Sequence, residues 1–150
     1  MYVNSRNIYQ SARKTAGITQ ERAAEMLGIS VESVRAYETG IRLPSNDVVD
    51  LMVIAYGAQV LAYQHIRASA DLVRTCIPDV QERELPTATM RLVRRIYQFA
   101  DNHRDRKLML IAEDGRIDEA ERPVFNAIVD EINEIIKAAL EIQCAREVDG

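Results

Sequence analysis

Residues able to do covalent or metal chemistry are few in this chain, and they are scattered. Cys76 and Cys144 stand far apart, and neither has a second Cys or a His at metal-ligand spacing, so both are expected to be reduced, partly buried thiols. His65 and His103 are equally isolated and are expected to serve packing or surface roles. The stretch Asp114-Gly-Arg-Ile-Asp-Glu-Ala-Glu121 copies the second half of a calcium-binding EF-hand loop, but Leu110 and Ala112 stand where the first and third ligands belong. A turn through Gly115, followed by a capping box from Asp118 to Glu121, accounts for it better. No nucleophile, base and orienting group occur together, and no Gly-rich phosphate loop appears. The sequence therefore points away from catalysis and calls for no metal or cofactor. What remains is charge and hydrogen bonding. Arg91, Arg94 and Arg95, at i, i+3 and i+4, make a basic face that could meet phosphate, pair with an acidic helix or stay solvated.

Helices must position these groups. Nowhere do four or more β-branched or aromatic residues alternate cleanly with polar ones, and the apolar positions recur at three and four, so the chain reads as all-α. The 150 residues are 47% hydrophobic, enough for a real core, yet no apolar run approaches the roughly eighteen residues of a membrane span. Met1 to Arg13 is too polar for a secretion signal, and the expectation is a cytoplasmic, soluble protein with no membrane partner. The net charge is −4, but its distribution carries more information. Residues 1–57 hold six basic and six acidic groups, 58–86 three and four, 87–107 six and two, and 108–150 four and eleven. A basic middle and an acidic tail are expected to face each other, within one chain or between two.

Punctuation marks the elements. A first helix from Arg6 carries Ile8, Ala12 and Ala16 and ends at Gly17; Thr19 caps a second, Gln20 to Leu27, with Ala23, Ala24 and Leu27 inward. Gly28 makes a turn, and Ser30 caps a third helix, Val31 to Thr39. After a loop to Pro44, any of Ser45, Asn46 or Asp47 can cap a fourth, with Val48, Leu51, Met52 and Ala55 inside. Ala58 to about Thr75 reads as helix with Leu61, His65, Ala68 and Leu72 on one stripe, and Cys76 to Pro86 as linker. A helix beginning at Thr87 or Thr89 should turn Met90, Val93, Tyr97 and Ala100 inward, and a final helix runs to about Ala145.

Two short helices about a Gly-centred turn, followed by a polar loop ending in Pro, form a helix-turn-helix pattern, whose second helix enters the major groove of DNA. The segment from Ile18 to Ser45 resembles the phage-repressor (Xre/Cro) helix-turn-helix. The likeness lies in Thr19-Gln20, the Leu27-Gly28-Ile29-Ser30 turn, Tyr37-Glu38 with Gly40, and Pro44-Ser45. It implies a lambda-repressor-like five-helix domain over residues 1–66 and a helical dimerisation or regulatory region over 67–150. By position, it implies that Val31, Glu32, Ser33 and Ala36 project toward base edges with Arg35 beside them. Gln20 and Arg42 would hold phosphates, Thr19 and Ser30 would complete the DNA-facing set, and Glu38 would be structural.

That reading face is thin. Val31 and Ala36 offer only apolar contact, Glu32 can accept from cytosine N4 but repels phosphate, and Arg35 is the helix's one cation. Two domains acting together are therefore expected, as a homodimer on double-stranded DNA. In the last helix Phe125, Ile128, Ile132, Ile135, Ala139 and Ile142 fall at alternating spacings of three and four and are the expected dimer seam, beside a second stripe of Val129, Ile136 and Leu140; one stripe would pack on the chain's own helices and the other on a partner copy, unless both fill a bundle within one chain. The expected role is a DNA-binding transcription regulator, a repressor of a prophage, mobile-element or operon promoter. Two other readings compete. One is an interaction module that keeps the fold without base reading. The other is a regulator with an apolar small-molecule cavity in the rear helices, near Cys76 or His65.

Overall fold

The computed structural model describes residues 5–148, with the side chains of residues 5–7 excepted. Among the described residues it is all-α, without strands, and it divides into two compact units, Met1–Asp79 and Val80–Gly150.

The first unit contains α1 (Ser5–Thr15), α2 (Gln20–Leu27), α3 (Val31–Glu38), α4 (Asn46–Tyr56), α5 (Val60–Ser69) and the single turn α6 (Asp71–Arg74). Local chemistry sets these boundaries. The hydroxyls of Thr19, Ser30 and Ser45 accept from the backbone N–H of Arg22, Ser33 and Val48, each satisfying a donor the helix start leaves open. The core joins Tyr9, Ala23, Ala24, Leu27, Val34, Tyr37, Val49, Met52, Tyr56, Ala58 and Leu61, all buried. Helix α4 is rotated from its expected setting. Val49, Met52 and Tyr56 are inside, Val48 and Ala55 are half-buried, and Leu51 is exposed, with Tyr56 close enough to Arg13 and Glu38 to feel their charges.

The helix expected from Ala58 to Thr75 is broken at Ala70, which is extended, and Leu72 is 79% exposed rather than on an inner stripe. Side chains divert the backbone there: Ser69 Oγ donates to the Ile66 carbonyl, and Arg67 donates to the carbonyls of Arg74 and Ile77. His65 does face inward. Its Nε2 lies 2.9 Å from Asn46 Oδ1 and its Nδ1 2.7 Å from Tyr9 Oη, so α1, α4 and α5 meet at one imidazole; because Asn46 Oδ1 only accepts, the neutral ring that fits carries its proton on Nε2.

The second unit contains α7 (Leu85–Asp101), α8 (Arg104–Ala112) and α9 (Arg122–Gln143). Its first helix is turned away from the sequence expectation. Met90, Val93, Tyr97 and Ala100 are exposed, and the inner side carries Ala88, Arg91, Leu92, Arg95 and Phe99. On that side Arg91 approaches Glu141 at 3.4 Å and Arg95 reaches Glu134 at 3.1 Å, beside Ala88, Leu92 and Phe99, while Arg94 is exposed. Arg104 of α8 likewise meets Glu131 at 2.7 Å. Glu141 is wholly buried and is also held by Arg83 at 2.6 Å and by the Gln81 N–H at 3.3 Å. Before α9, Asp118 and Glu121 exchange the reciprocal bonds of a capping box, at 3.1 and 2.8 Å, and Arg116 N–H donates to Asp114 Oδ1 in the turn at Gly115.

Burial pushes the imidazole of His65 below its ordinary pKa, against a weaker opposite pull from the charge of Asp50. Below about pH 6.5 the unfolded chain therefore takes up a proton that the folded one resists, so stability is complete above that pH and declines as pH falls through it. Urea unfolding at about pH 7.5 and 5.5 should show a clear loss for the wild type and a flatter response for His65→Gln. Equal responses of the two proteins would contradict this role for His65.

Candidate nucleic-acid interface

The turn between α2 and α3 depends on Gly28, whose φ of 65° is left-handed, and whose N–H bonds back to the carbonyls of Ala24 and Glu25. With Ala24, Leu27 and Val34 buried between them, α2 and α3 are fixed as a rigid pair.

A buried ion pair then ties α1 to α3. The guanidinium of Arg13 grips the Glu38 carboxylate by two bonds, Nε to Oε1 and Nη2 to Oε2, the second at 3.0 Å, and Nη1 donates to the Ile18 carbonyl at 2.7 Å. Both side chains are more than nine-tenths buried. Burial favours the neutral form of Glu38, but hydrogen bonds from Arg13, Gln20 and Gln10 and the charge of Arg13 outweigh it and hold the carboxyl below its usual range. Beside this pair, burial and the Glu38 charge push the Tyr56 phenol up to about 12.

From Glu38 the network runs outward. Gln20 Nε2 donates to Glu38 Oε2 at 2.9 Å, and Gln20 Oε1 accepts from Arg35 Nε at 3.2 Å. Gln20 at the start of α2 and Arg35 on α3 are therefore held at a fixed spacing. A second chain of bonds lies along the same helix: Arg42 Nη2 donates to Ser33 Oγ at 2.7 Å and to Tyr37 Oη at 3.3 Å, its guanidinium stacks 4.9 Å above the Tyr37 ring, and Ser30 Oγ donates to Ser33 Oγ at 3.0 Å. The fold thus holds two sets of side chains along α3, Gln20 with Arg35 and Ser30 with Ser33 and Arg42. Thr19 and Ser30 also cap their helices. Glu32 is exposed and Ala36 half-buried, while Val31 is half-buried and packs against the core, which limits its reach toward a base.

Residues 10–60 match the family model described as Helix-turn-helix, covering α2, α3, the turn between them and the helices on either side. This segment is a helix-turn-helix domain of the phage-repressor-like family. In such domains the second helix of the pair, here α3, is the one that enters the major groove. No curated protein and no solved structure matches this chain.

The remaining expected positions lie in the second unit. Ile128 is wholly enclosed by its own chain, and Phe125, Ile132, Ile135, Ala139 and Ile142 are half-buried there. A shallow depression of about 240 Å³ in that unit is lined by the polar side chains of Arg95, Gln98, Asn102 and Glu131. Cys76 is exposed, and His65 is committed to Tyr9 and Asn46. Among the described residues no three His, Cys, Asp or Glu side chains are grouped to hold a metal ion, and no helix is long and apolar enough to cross a membrane.

Sequence reasoning missed Arg13 as the partner of Glu38, and Tyr9 and Asn46 as partners of His65. A signal existed: Tyr9 and Arg13 are four apart on α1, beside Ile8 and Ala12, and so share its inner face.

Glu38→Ala would leave Arg13 charged and buried without a partner, and should cost about 3–5 kcal/mol of stability. Gln20→Ala removes one bond at the edge of the network and should cost about 1 kcal/mol. Chemical denaturation of both variants checks this; equal costs would show that the ion pair is not the brace of the domain.

Proposed function

We propose that this chain is a sequence-specific transcription regulator, non-enzymatic and cytoplasmic, that binds operator DNA as a homodimer and acts as a repressor of a promoter such as that of a prophage or mobile element. The observation that carries the reading is the coincidence of the Helix-turn-helix match with two side-chain pairs that flank α3, Gln20 with Arg35 and Ser33 with Arg42. In this reading Gln20 and Arg42 hold backbone phosphates, with Thr19 and Ser30 at the adjoining helix starts, where open N–H groups favour anions. Ser33 and Arg35 supply polar contacts to base edges, Glu32 accepts from cytosine, and Val31 and Ala36 limit approach by shape and offer apolar contact to a thymine methyl.

Pairing follows from electrostatics. The basic and acidic groups of residues 1–57 balance at six each, so one copy gains little from phosphate neutralisation. Two tethered copies multiply their affinities and also read a two-fold site.

In-vitro selection from a random duplex pool, run at two salt concentrations, should enrich an inverted repeat with half-sites about one helical turn apart. Enrichment should weaken at the higher salt. Absence of enrichment at both would overturn base reading by the protein alone and favour the interaction-module reading.

A further inference from the structure

Helix α7 presents its apolar stripe to water. Met90 is 73% exposed, Tyr97 65%, Ile96 47% and Val93 40%, with Ala100 also exposed. Met90, Val93, Tyr97 and Ala100 fall at spacings of three, four and three, the period with which one helix seats on another. The opposite side of α7, with Ala88, Leu92, Arg95 and Phe99, is already occupied by its own unit. An uninterrupted row of this kind on a charged helix is the mark of an interface rather than of ordinary surface.

The edge of the row identifies its occupant. Arg94 and Asp101 are seven residues apart and so lie on the same edge, three residues before and four after Tyr97. Neither makes an ion pair among the described residues. Asp101 is moreover the last residue of α7, where a negative charge opposes the helix dipole and calls for a cation nearby. If a second α7 crosses the first in the opposite direction at Tyr97, each Arg94 meets the other copy's Asp101, giving two ion pairs related by the two-fold axis. The charge pattern is complementary to itself in that one orientation. A parallel pairing leaves both groups unmatched.

We infer that two copies of this chain pair through the outer face of α7, antiparallel and crossing at Tyr97, with Val93, Ile96 and Ala100 packed about the axis and Arg94–Asp101 pairs at its edges. This inference rests on the paired-copy reading above and moves its contact from the α9 row, half-buried in its own unit with Ile128 enclosed, to α7. The strip is narrow. A contact carried by one helix face is small beside the roughly 800 Å² per partner of a standard stable interface, so the dimer should be of moderate affinity and reinforced when both copies sit on one duplex.

Sedimentation equilibrium of the full chain over a range of concentrations tests it. The wild type should dimerise reversibly, and Tyr97→Asp, at an exposed position that leaves the fold intact, should weaken dimerisation by at least about tenfold. Arg94→Glu and Asp101→Arg should each weaken it, and the double variant Arg94→Glu/Asp101→Arg should restore it to near wild type. A monomeric wild type at every concentration would overturn the inference, as would a dimer indifferent to Tyr97→Asp or single reversals that the double variant fails to rescue. Binding of the Tyr97→Asp protein to a duplex, followed by fluorescence anisotropy, separates this from the DNA reading. Retained but weaker binding is expected, whereas a protein that dimerises through α7 and ignores DNA at any salt would sink the function and leave the pairing intact.

Discussion

The buried pair of Arg13 and Glu38 is the constraint on which the arrangement of the first unit depends. Two charges removed from water are tolerated only when each satisfies the other and the remaining donors find acceptors. Here the guanidinium spans both carboxylate oxygens and spends a further N–H on the Ile18 carbonyl, which fixes α1 against α3 and sets the entry of the chain into α2. Geometry of this kind has little freedom. The carboxylate then has one more donor, Gln20, and through Gln20 the position of Arg35 is set as well. A group buried beneath the recognition helix thereby orders side chains on its exposed face before any DNA arrives. Ordering that is already present need not be supplied by the binding energy.

The second unit follows the same logic with a different outcome. Glu141 is enclosed in the middle of a helical unit and must be answered by cations, which Arg83 and Arg91 provide from two separate segments. Arg91 and Arg95 of α7 lie toward α9, while Arg94 and the apolar row on the opposite side face solvent. Ion pairing and the burial of Ala88, Leu92 and Phe99 together fix the rotation of this helix, since leaving a buried carboxylate unpaired costs several kcal/mol, about what exposing a few apolar side chains costs.

Much of the fold was legible because its determinants are local. Thr19, Ser30 and the Ser45 alternative lie one turn from the amides they cap, Gly28 acts on its own φ, and the Asp118–Glu121 capping box closes within four residues. The helix-turn-helix was read from the same short-range features, and among the expected site residues Gln20 meets Arg35 and Ser33 meets Arg42. Helix rotations were less legible. Met90, Val93 and Tyr97 were expected inside because they are apolar and periodic, but the groups that overrule them, Glu134 and Glu141, lie 39 and about 50 residues away. Likewise, the break at Ala70 depends on Arg67 reaching carbonyls that no periodicity marks. Long-range ion pairs leave only a coarse trace in a single sequence, here a basic middle and an acidic tail that do not name the partners.

The central claim is that duplex DNA is received on the face formed by the start of α2, the length of α3 and the loop to Arg42. Amide chemical-shift mapping of the isotope-labelled full chain during titration with a duplex tests it most directly. The account predicts that perturbations concentrate at Thr19, Gln20, Ser30 to Ala36 and Arg42 and grow weaker as salt is raised. Perturbations that avoid these residues and gather on the second unit, or none at all at low salt, would contradict it.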